Sequence, residues 1–463
     1  MERIKNGFSL FRPAVFLLLP ALLCFLSSFY YKAMQVNFSK HKLKNGIEVW
    51  IVPFGELPVT GIKVWMKGGR KNELPGLQGL AGITAQCLDK GYDKLNASQI
   101  DGLLAGISSG INVGVSDEAT SISSLFLNDK LETGLQVLSG VITRPSFPAD
   151  EISQITSRML TYNKPSRMDL MNLANAASNL VVYGKDHPLG RQFFPAQLKK
   201  INRDSVLFFH SFYFNPANCK ILVSGNIQAA TIIPLLEKHF GDWKPKFGSL
   251  GNFSYSEKKI KGITRYFIPG KKGSTQSCLR WNFQAPLPGS EYHLPYLWAS
   301  ELFNEMLFEE IRAKEGKTYG INLLYDGENN RGYARVVTQV RTGVTAATVE
   351  SFDRVLKSFY QSGVTTPKRN ASAAKFLSGQ TFWETPLDVA EAFNLVLYPN
   401  PKNRQAQISG INNITAEMLN TVIKKYFNPA NYILVICGDP EKLSGELKQI
   451  QGIKMLEISD LES

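Results

Sequence analysis

The sequence is poor in the residues that metal and thiol chemistry use. Its 463 residues hold only 5 cysteines and 5 histidines. No Cys-x-x-Cys pair occurs, which argues against a cysteine-based zinc module. Cys87, Cys219, Cys278 and Cys437 sit far apart in apolar stretches and read as buried free thiols. His41, His187, His210, His239 and His293 form no His-x-x-x-His or His-x-His pair, so an ordinary zinc site has no ligands to start from. His187, with no base or metal partner near it in sequence, reads as a structural loop residue. No Walker A loop occurs, and Gly270-Lys-Lys-Gly-Ser274 is too short to be one. The net charge of +13 is spread over short runs such as Lys199-Lys200 and Lys424-Lys425. No Lys/Arg cluster with interleaved aromatics follows, so the excess reads as a solubilising surface and not as a nucleic-acid groove.

One apparent motif fails on its context. Gly106-Ile-Ser108-Ser-Gly110 matches the Gly-x-Ser-x-Gly nucleophile elbow. That elbow needs a strand before it and a helix after it. The order predicted from periodicity is the reverse: a helix over 98–104, then alternating Ile111, Val113 and Val115. Asn-x-Ser/Thr sequons at Asn96, Asn252 and Asn413 carry meaning only in a eukaryotic secretory pathway.

With 44% apolar and 20% charged residues, the chain is of ordinary globular composition. It is too long and too apolar to be disordered, collagen-like or a disulfide-stapled mini-protein. Residues 1–33 stand apart. Arg3, Lys5 and Arg12 precede an apolar run from Pro13 to Phe29, which reads as an export signal. The run is short for a comfortable membrane span of roughly 20 residues. Tyr30, Tyr31 and Lys32 occupy the place of a small-residue cleavage site, so retention as an N-terminal membrane anchor is the alternative to removal. Cys24 would suit a lipoprotein, but Leu23 stands where a small residue is needed. The expected location is the periplasm, with inner-membrane anchoring as an option.

An internal repeat organises the remainder. Tyr213-Phe-Asn-Pro-Ala-Asn218 recurs as Tyr426-Phe-Asn-Pro-Ala-Asn431. Each copy follows a helical stretch and precedes a β-rich run ending in Gly225 or Gly438. The economical reading is one domain present twice. Residues 244–262, rich in Gly, Lys and Ser, read as a linker between domains at 34–243 and 263–463. Strands over 47–53 and 61–66 and amphipathic helices over 131–141 and 151–162 predict an α/β (α+β) fold, two helix-on-sheet domains in tandem.

Two stretches carry a family likeness. Gly79-Leu-Ala-Gly-Ile-Thr-Ala-Gln-Cys-Leu-Asp-Lys-Gly91 follows Pro75-Gly76 and predicts a helix with Leu80, Ile83, Cys87 and Leu88 on one face. It resembles the active-site helix of the insulinase-like, pitrilysin (M16) metallopeptidases, which carries Gly-Leu-Ala-His-x-x-Glu-His. Here Gly82 and Gln86 stand at the two zinc-binding His positions and Ala85 at that of the general base. The family's third ligand, a Glu in the helix after a Pro-x-Phe-Pro-like stretch (Pro145-Ser-Phe-Pro148), falls at Met159. The frame is kept and all four functional residues are missing.

The second stretch is Glu301-Leu-Phe-Asn-Glu-Met-Leu-Phe-Glu-Glu-Ile-Arg312-Ala-Lys-Glu-Gly316-Lys-Thr-Tyr319. Phe303, Leu307 and Ile311 form an apolar stripe, Gly316 ends the helix and Thr318-Tyr319 opens a strand. It is similar to the family's Leu-Phe-x-x-x-Arg-x-x-x-Gly-x-x-Tyr motif. There the Arg and Tyr reach toward a facing active site and stabilise the tetrahedral intermediate. Arg312 and Tyr319 match that spacing. Further likenesses, at 44–49 and in His187-Pro-Leu-Gly-Arg191, extend it over both halves.

The resemblance implies the LuxS/MPP-like metallohydrolase architecture. It implies a zinc-lacking, short-chain subunit that pairs with a zinc-bearing sister and lends it Arg312 and Tyr319 for peptide hydrolysis. No cofactor is expected in this chain, and zinc is expected in the partner. The strand after residue 110 is implied to be a sheet edge where extended peptides pair. A non-catalytic scaffold subunit is the alternative, and an independent peptidase using other chemistry a third.

Overall fold

In a computed structural model of the chain, two six-stranded mixed sheets each carry a helical layer. Residues 37–162, 168–185, 187–190, 195–245, 247, 258–328, 331–397 and 399–462 are described. The apolar N-terminal segment with Cys24, and residues 248–257 of the expected linker, lie outside them.

The first sheet holds β1 (Ser39–Lys42), β2 (Glu48–Pro53), β3 (Val59–Met66), β4 (Asn112–Val115), β5 (Thr120–Leu127) and β6 (Cys219–Gly225), in the order β1-β2-β6-β3-β5-β4. The second holds β7 (Ile263–Pro269), β8 (Gln276–Gln284), β9 (Thr318–Glu328), β10 (Arg331–Arg341), β11 (Tyr432–Gly438) and β12 (Ile453–Met455), in the order β9-β10-β8-β11-β7-β12. The repeat is visible in the register. Leu222 of β6 lies opposite Lys63 of β3, and Val435 of β11, 213 residues later, lies opposite Arg280 of β8. The Asn-Pro-Ala-Asn motif makes the turn into each of these strands. Asn215 Oδ1 accepts from Asn218 N at 3.3 Å, and Asn428 Oδ1 accepts from Ala430 N at 2.9 Å.

Alternation along β3 decides what each sheet face meets. Ile62, Val64 and Met66 point into a core shared with α1 (Leu80–Gln86), α2 (Ala97–Gly106), α3 (Leu131–Thr143), α4 (Ala149–Tyr162), α6 (Arg203–Tyr213) and α7 (Ala229–Phe240). The second sheet is backed in the same way by α8 (His293–Leu307) and α9 (Thr345–Ser362), with α10 (Thr366–Thr381) and α12 (Ala416–Tyr426) packed on α8. Trp281 stacks on Phe352 at 4.2 Å between ring centroids, and Phe303 stacks on Phe359 at 5.1 Å.

The opposite faces are covered by exchange. Helix α5 (Leu170–Tyr183) comes from the first half of the sequence and packs on β8 and β11 of the second sheet. Its Leu170, Leu173, Ala174 and Ala177 join Cys278, Val435 and Cys437 in one buried cluster. Asn175 Oδ1 accepts from the buried Arg280 guanidinium at 2.9 Å, and Asn179 Oδ1 from Arg335 at 2.8 Å. In return α11 (Pro386–Ala392) packs on β3, β5 and β6 of the first sheet. A Cβ at Gly61 would meet Pro386 Cβ at 2.9 Å, so glycine is needed for this approach. Lys63, buried beneath the helix, pairs with Glu391. A further ion pair joins the halves at Asp117, which is fully buried; it accepts from Arg70 Nε at 2.9 Å and pairs with Arg331.

The four cysteines among the described residues are buried free thiols. Burial pushes the Cys87 thiol up to about 12 and the Cys278 thiol up to about 11, so neither is a ready nucleophile.

Candidate functional site

Helix α1 is shorter than its flanking glycines predict. It runs from Leu80 to Gln86, and a 3-10 turn at Leu88–Lys90 follows. Gly76 and Gly79 adopt φ of 80° and 97°, left-handed values that keep the approach out of the helix. Glu73, buried, stands in for a capping side chain: its carboxylate accepts from Gly79 N at 3.1 Å and from Ala81 N at 3.0 Å. A carboxylate at a helix N-terminus satisfies backbone donors and the helix dipole together. Nothing in the periodicity pointed to Glu73, because it lies outside the helix. The expected apolar face holds, with Leu80, Ile83, Cys87 and Leu88 all fully buried.

The positions matched to zinc ligands lie side by side across α1 and α4. Gln86 Nε2 is 3.9 Å from Met159 Sδ. A Cβ built on Gly82 would meet Met159 Cε at 3.9 Å. Ala85 faces the core. Glycine and alanine offer no donor atom, and a neutral amide and thioether are poor ligands for Zn²⁺, which takes thiolate, imidazole or carboxylate. The residues present do not fit zinc. Among the described residues no group of three or more His, Cys, Asp or Glu side chains converges on a point that could hold a metal.

Ser108 sits after the end of α2 with φ of 52°, and β4 follows it. Helix then strand is the reverse of a nucleophile elbow. Strand β4 is the edge of the first sheet, beside α1. His187 stacks on Tyr183 at 4.9 Å, and its Nδ1 accepts from Leu189 N at 3.1 Å.

Arg312 and Tyr319 lie on adjoining elements. Helix α8 passes into a π-helical turn at Phe308–Lys314, where Glu315 N donates to Glu310 O across five residues. Gly316, with φ of 60°, ends it. Phe303, Leu307 and Ile311 are fully buried and hold this helix on its sheet. The Arg312 guanidinium lies 4.6 Å from the centroid of the Phe308 ring, which is itself exposed. Every carboxylate beside it in sequence is taken by another cation. Lys314 holds Glu310 at 2.6 Å and Glu309 at 4.0 Å, while Lys317 and Arg354 hold Glu315.

The turn packs against β9, whose register shifts between Thr318 and Ile321. Thr318 Oγ1 fixes this bulge by donating to Gln339 O at 2.9 Å and accepting from Gly320 N at 3.1 Å. Bulges re-aim side chains, and Tyr319 is 88% exposed. A cleft of about 670 Å³ opens beside Phe308, lined also by Glu301, Glu305, Asn322 and Lys375. The arrangement displays a guanidinium and a phenol, donors suited to an oxyanion, near the carboxylates of Glu301 and Glu305.

Asn304 carries no sequence pattern that marks its role. Its Nδ2 donates to Leu323 O at 3.3 Å, and its Oδ1 accepts from Leu323 N at 2.6 Å. One carboxamide thus replaces a neighbouring strand's peptide group at the edge of the second sheet.

The comparisons with known proteins agree with this geometry. Residues 200–368 match the family model described as the peptidase M16 inactive domain. An uncharacterized zinc protease of Rickettsia bellii is 24% identical over 306 residues, covering 62% of this chain and 70% of its own. The crystal structure of a peptidase M16 inactive domain from Pseudomonas fluorescens superposes with a TM-score of 0.79 at 19% identity, covering 87% of this chain and 98% of that one. A protease from Helicobacter pylori superposes with a TM-score of 0.77 at 18% identity, covering 87% of this chain and 100% of that one.

Proposed function

We propose that this chain, which is related to the M16 zinc proteases and carries a domain of the M16 inactive type, is the zinc-lacking subunit of a peptidase heterodimer. A sister subunit supplies the metal and the general base. This chain supplies Arg312 and Tyr319, whose guanidinium and hydroxyl donate to the oxygen that becomes negative when a peptide carbonyl turns tetrahedral. Donors held ready at that point contribute most where water is excluded.

The observation that supports this reading is the state of Arg312. Three glutamates lie within three residues of it, and none pairs with it: Lys314 holds Glu309 and Glu310, and Lys317 and Arg354 hold Glu315. An arginine stacked on a ring, with no acid paired to it among the described residues, can take an external anion. The degenerate positions Gly82, Ala85, Gln86 and Met159 support the other part of the reading, that the metal is not this chain's own. The exported location implied by residues 1–33 belongs to the same proposal.

The test is reconstitution with a zinc-bearing sister carrying an intact His-x-x-Glu-His helix. The mixture should cleave unfolded peptides in a zinc-dependent way. Arg312→Ala and Tyr319→Phe should each lower turnover while the complex still assembles. Wild-type turnover in both variants would overturn the assignment of the site. A stable complex without any zinc-dependent cleavage would favour a scaffold subunit instead.

A further inference from the structure

The corner of the first sheet where the N-terminal segment joins the fold carries an unusual set of side chains. In β1 and β2 Ser39 lies opposite Ile51, so β1 begins at the end of the pair where β2 finishes with Pro53. The chain therefore enters the described fold next to the turn Phe54-Gly-Glu-Leu57. Leu57, at the tip of that turn, is 71% exposed, and so is Phe382, just ahead of α11.

Aromatic rings link these pieces. Phe38 meets Phe393 at 4.9 Å, Phe393 meets Trp383 at 5.3 Å, and Trp383 meets Phe54 at 6.5 Å. Four rings from three segments thus run from the entry point to two exposed apolar side chains. Phe393 is fully buried in this row, while Leu57 and Phe382, which follow Phe54 and precede Trp383 in sequence, are exposed apolar side chains at its outer end.

The sequence before that corner says what covers it. Eight residues, Tyr30 to Asn37, separate the apolar run Pro13–Phe29 from Phe38. Fully extended they reach at most about 29 Å. Retained as the N-terminal anchor that the sequence offers as one reading, this run sits in a membrane, and its tether is then too short to let the corner stand far from the surface. Tryptophan and phenylalanine beside leucine are the side chains that settle at the boundary between headgroups and acyl chains.

We propose that the corner formed by Phe54, Leu57, Phe382 and Trp383 is a membrane-interface contact. The uncleaved N-terminal segment brings it to the bilayer, and Leu57, Phe382 and the edge of Trp383 enter the outer acyl region. This is independent of whether Arg312 and Tyr319 serve a partner.

The test uses the full chain, reconstituted with vesicles of phosphatidylcholine and phosphatidylglycerol whose acyl chains are brominated. Trp50, Trp65, Trp281 and Trp298 are buried, and Trp243 lies at the far end of β1 and β2, beside Asn45. Quenching by bromine should therefore come from Trp383. The chain should float with the vesicles, its fluorescence should be quenched, and Trp383→Phe should abolish most of that quenching. Leu57→Asn with Phe382→Asn, which leaves every tryptophan in place, should reduce quenching at least two-fold. A chain that stays in the soluble fraction would overturn the proposal, as would quenching that is the same with and without Trp383. Trp383 emission that ignores added vesicles would overturn it too.

Discussion

Lys63 of β3 and Glu391 of α11, 328 residues apart in sequence, form an ion pair that pins the second half of the chain to the first sheet. The lysine is nearly dry, with its side chain 6% exposed, whereas the glutamate side chain is 62% exposed. Burial pushes the Lys63 ammonium down to about 8 despite its partner, because a carboxylate in solvent returns little of the lost hydration.

A pH dependence of stability follows. Between about pH 8 and the lysine's ordinary value of 10.5 the unfolded chain holds a proton that the folded chain has lost. Stability therefore rises with pH across that window, by an amount on the order of 2 kcal/mol from this group. Denaturant unfolding at pH 7.5, 9 and 10 should show the rise in the wild type. Lys63→Met should remove it, and an unchanged slope in that variant would assign the effect elsewhere.

Arg312 and Tyr319 should matter little to the fold. Neither side chain is buried, and Tyr319 is 88% exposed. Arg312→Ala and Tyr319→Phe should keep unfolding free energies within about 0.5 kcal/mol of the wild type. In the reconstituted pair, loss of one oxyanion donor should lower turnover roughly 100-fold. A large loss of stability in either variant would assign that residue to packing.

The side-by-side placement of Gly82, Gln86 and Met159 can be read out with metal. Gly82→His, Gln86→His and Met159→Glu together restore two imidazoles one turn apart and a carboxylate on the facing helix. The triple variant should retain about one zinc per chain after dialysis, as a three-ligand site does. A folded variant that retains none would mean that α1 and α4 do not bring these positions to one point.

Asn304 closes the edge of the second sheet at Leu323. Asn304→Leu keeps the size of the side chain and leaves both Leu323 backbone groups without their partner. It should destabilise by about 1–3 kcal/mol, the usual cost of orphaned buried polar groups. Hydrogen exchange at the Leu323 amide should quicken more than at Val336 across the ladder. Equal exchange in variant and wild type would show that helix α8 covers the edge without this carboxamide.

The sequence made the repeat, its two Asn-Pro-Ala-Asn turns and the helix leading to Arg312 readable, because each is a local pattern. The apolar stripe Phe303, Leu307 and Ile311 fixes one helix face wherever the helix lies. What α5 and α11 cover was not readable. Periodicity shows that Leu173, Ala177 and Leu180 share a face, but not that the face belongs to the other half's sheet. The π-helical turn at Phe308–Lys314 also escapes a 3.6-residue period. Glu73 and Asn304 act through backbone groups distant in sequence, which leaves no spacing to detect. Phe308 was quoted in the motif, yet only its 4.6 Å approach to Arg312 gives it a role.

The helix exchange has a temporal consequence. During synthesis from the N-terminus, β6 completes the first sheet at residue 225, yet the face that receives α11 stays bare until residue 392 has been made. For more than 160 residues of translation, Lys63, Trp65 and Leu222 belong to a surface with no cover. Domains that emerge first ordinarily fold first, but here one face of the first sheet gains its covering helix only from the later half. A ribosome-stalled chain ending near residue 300 should accordingly bind a holdase, and one ending beyond residue 438 should release it.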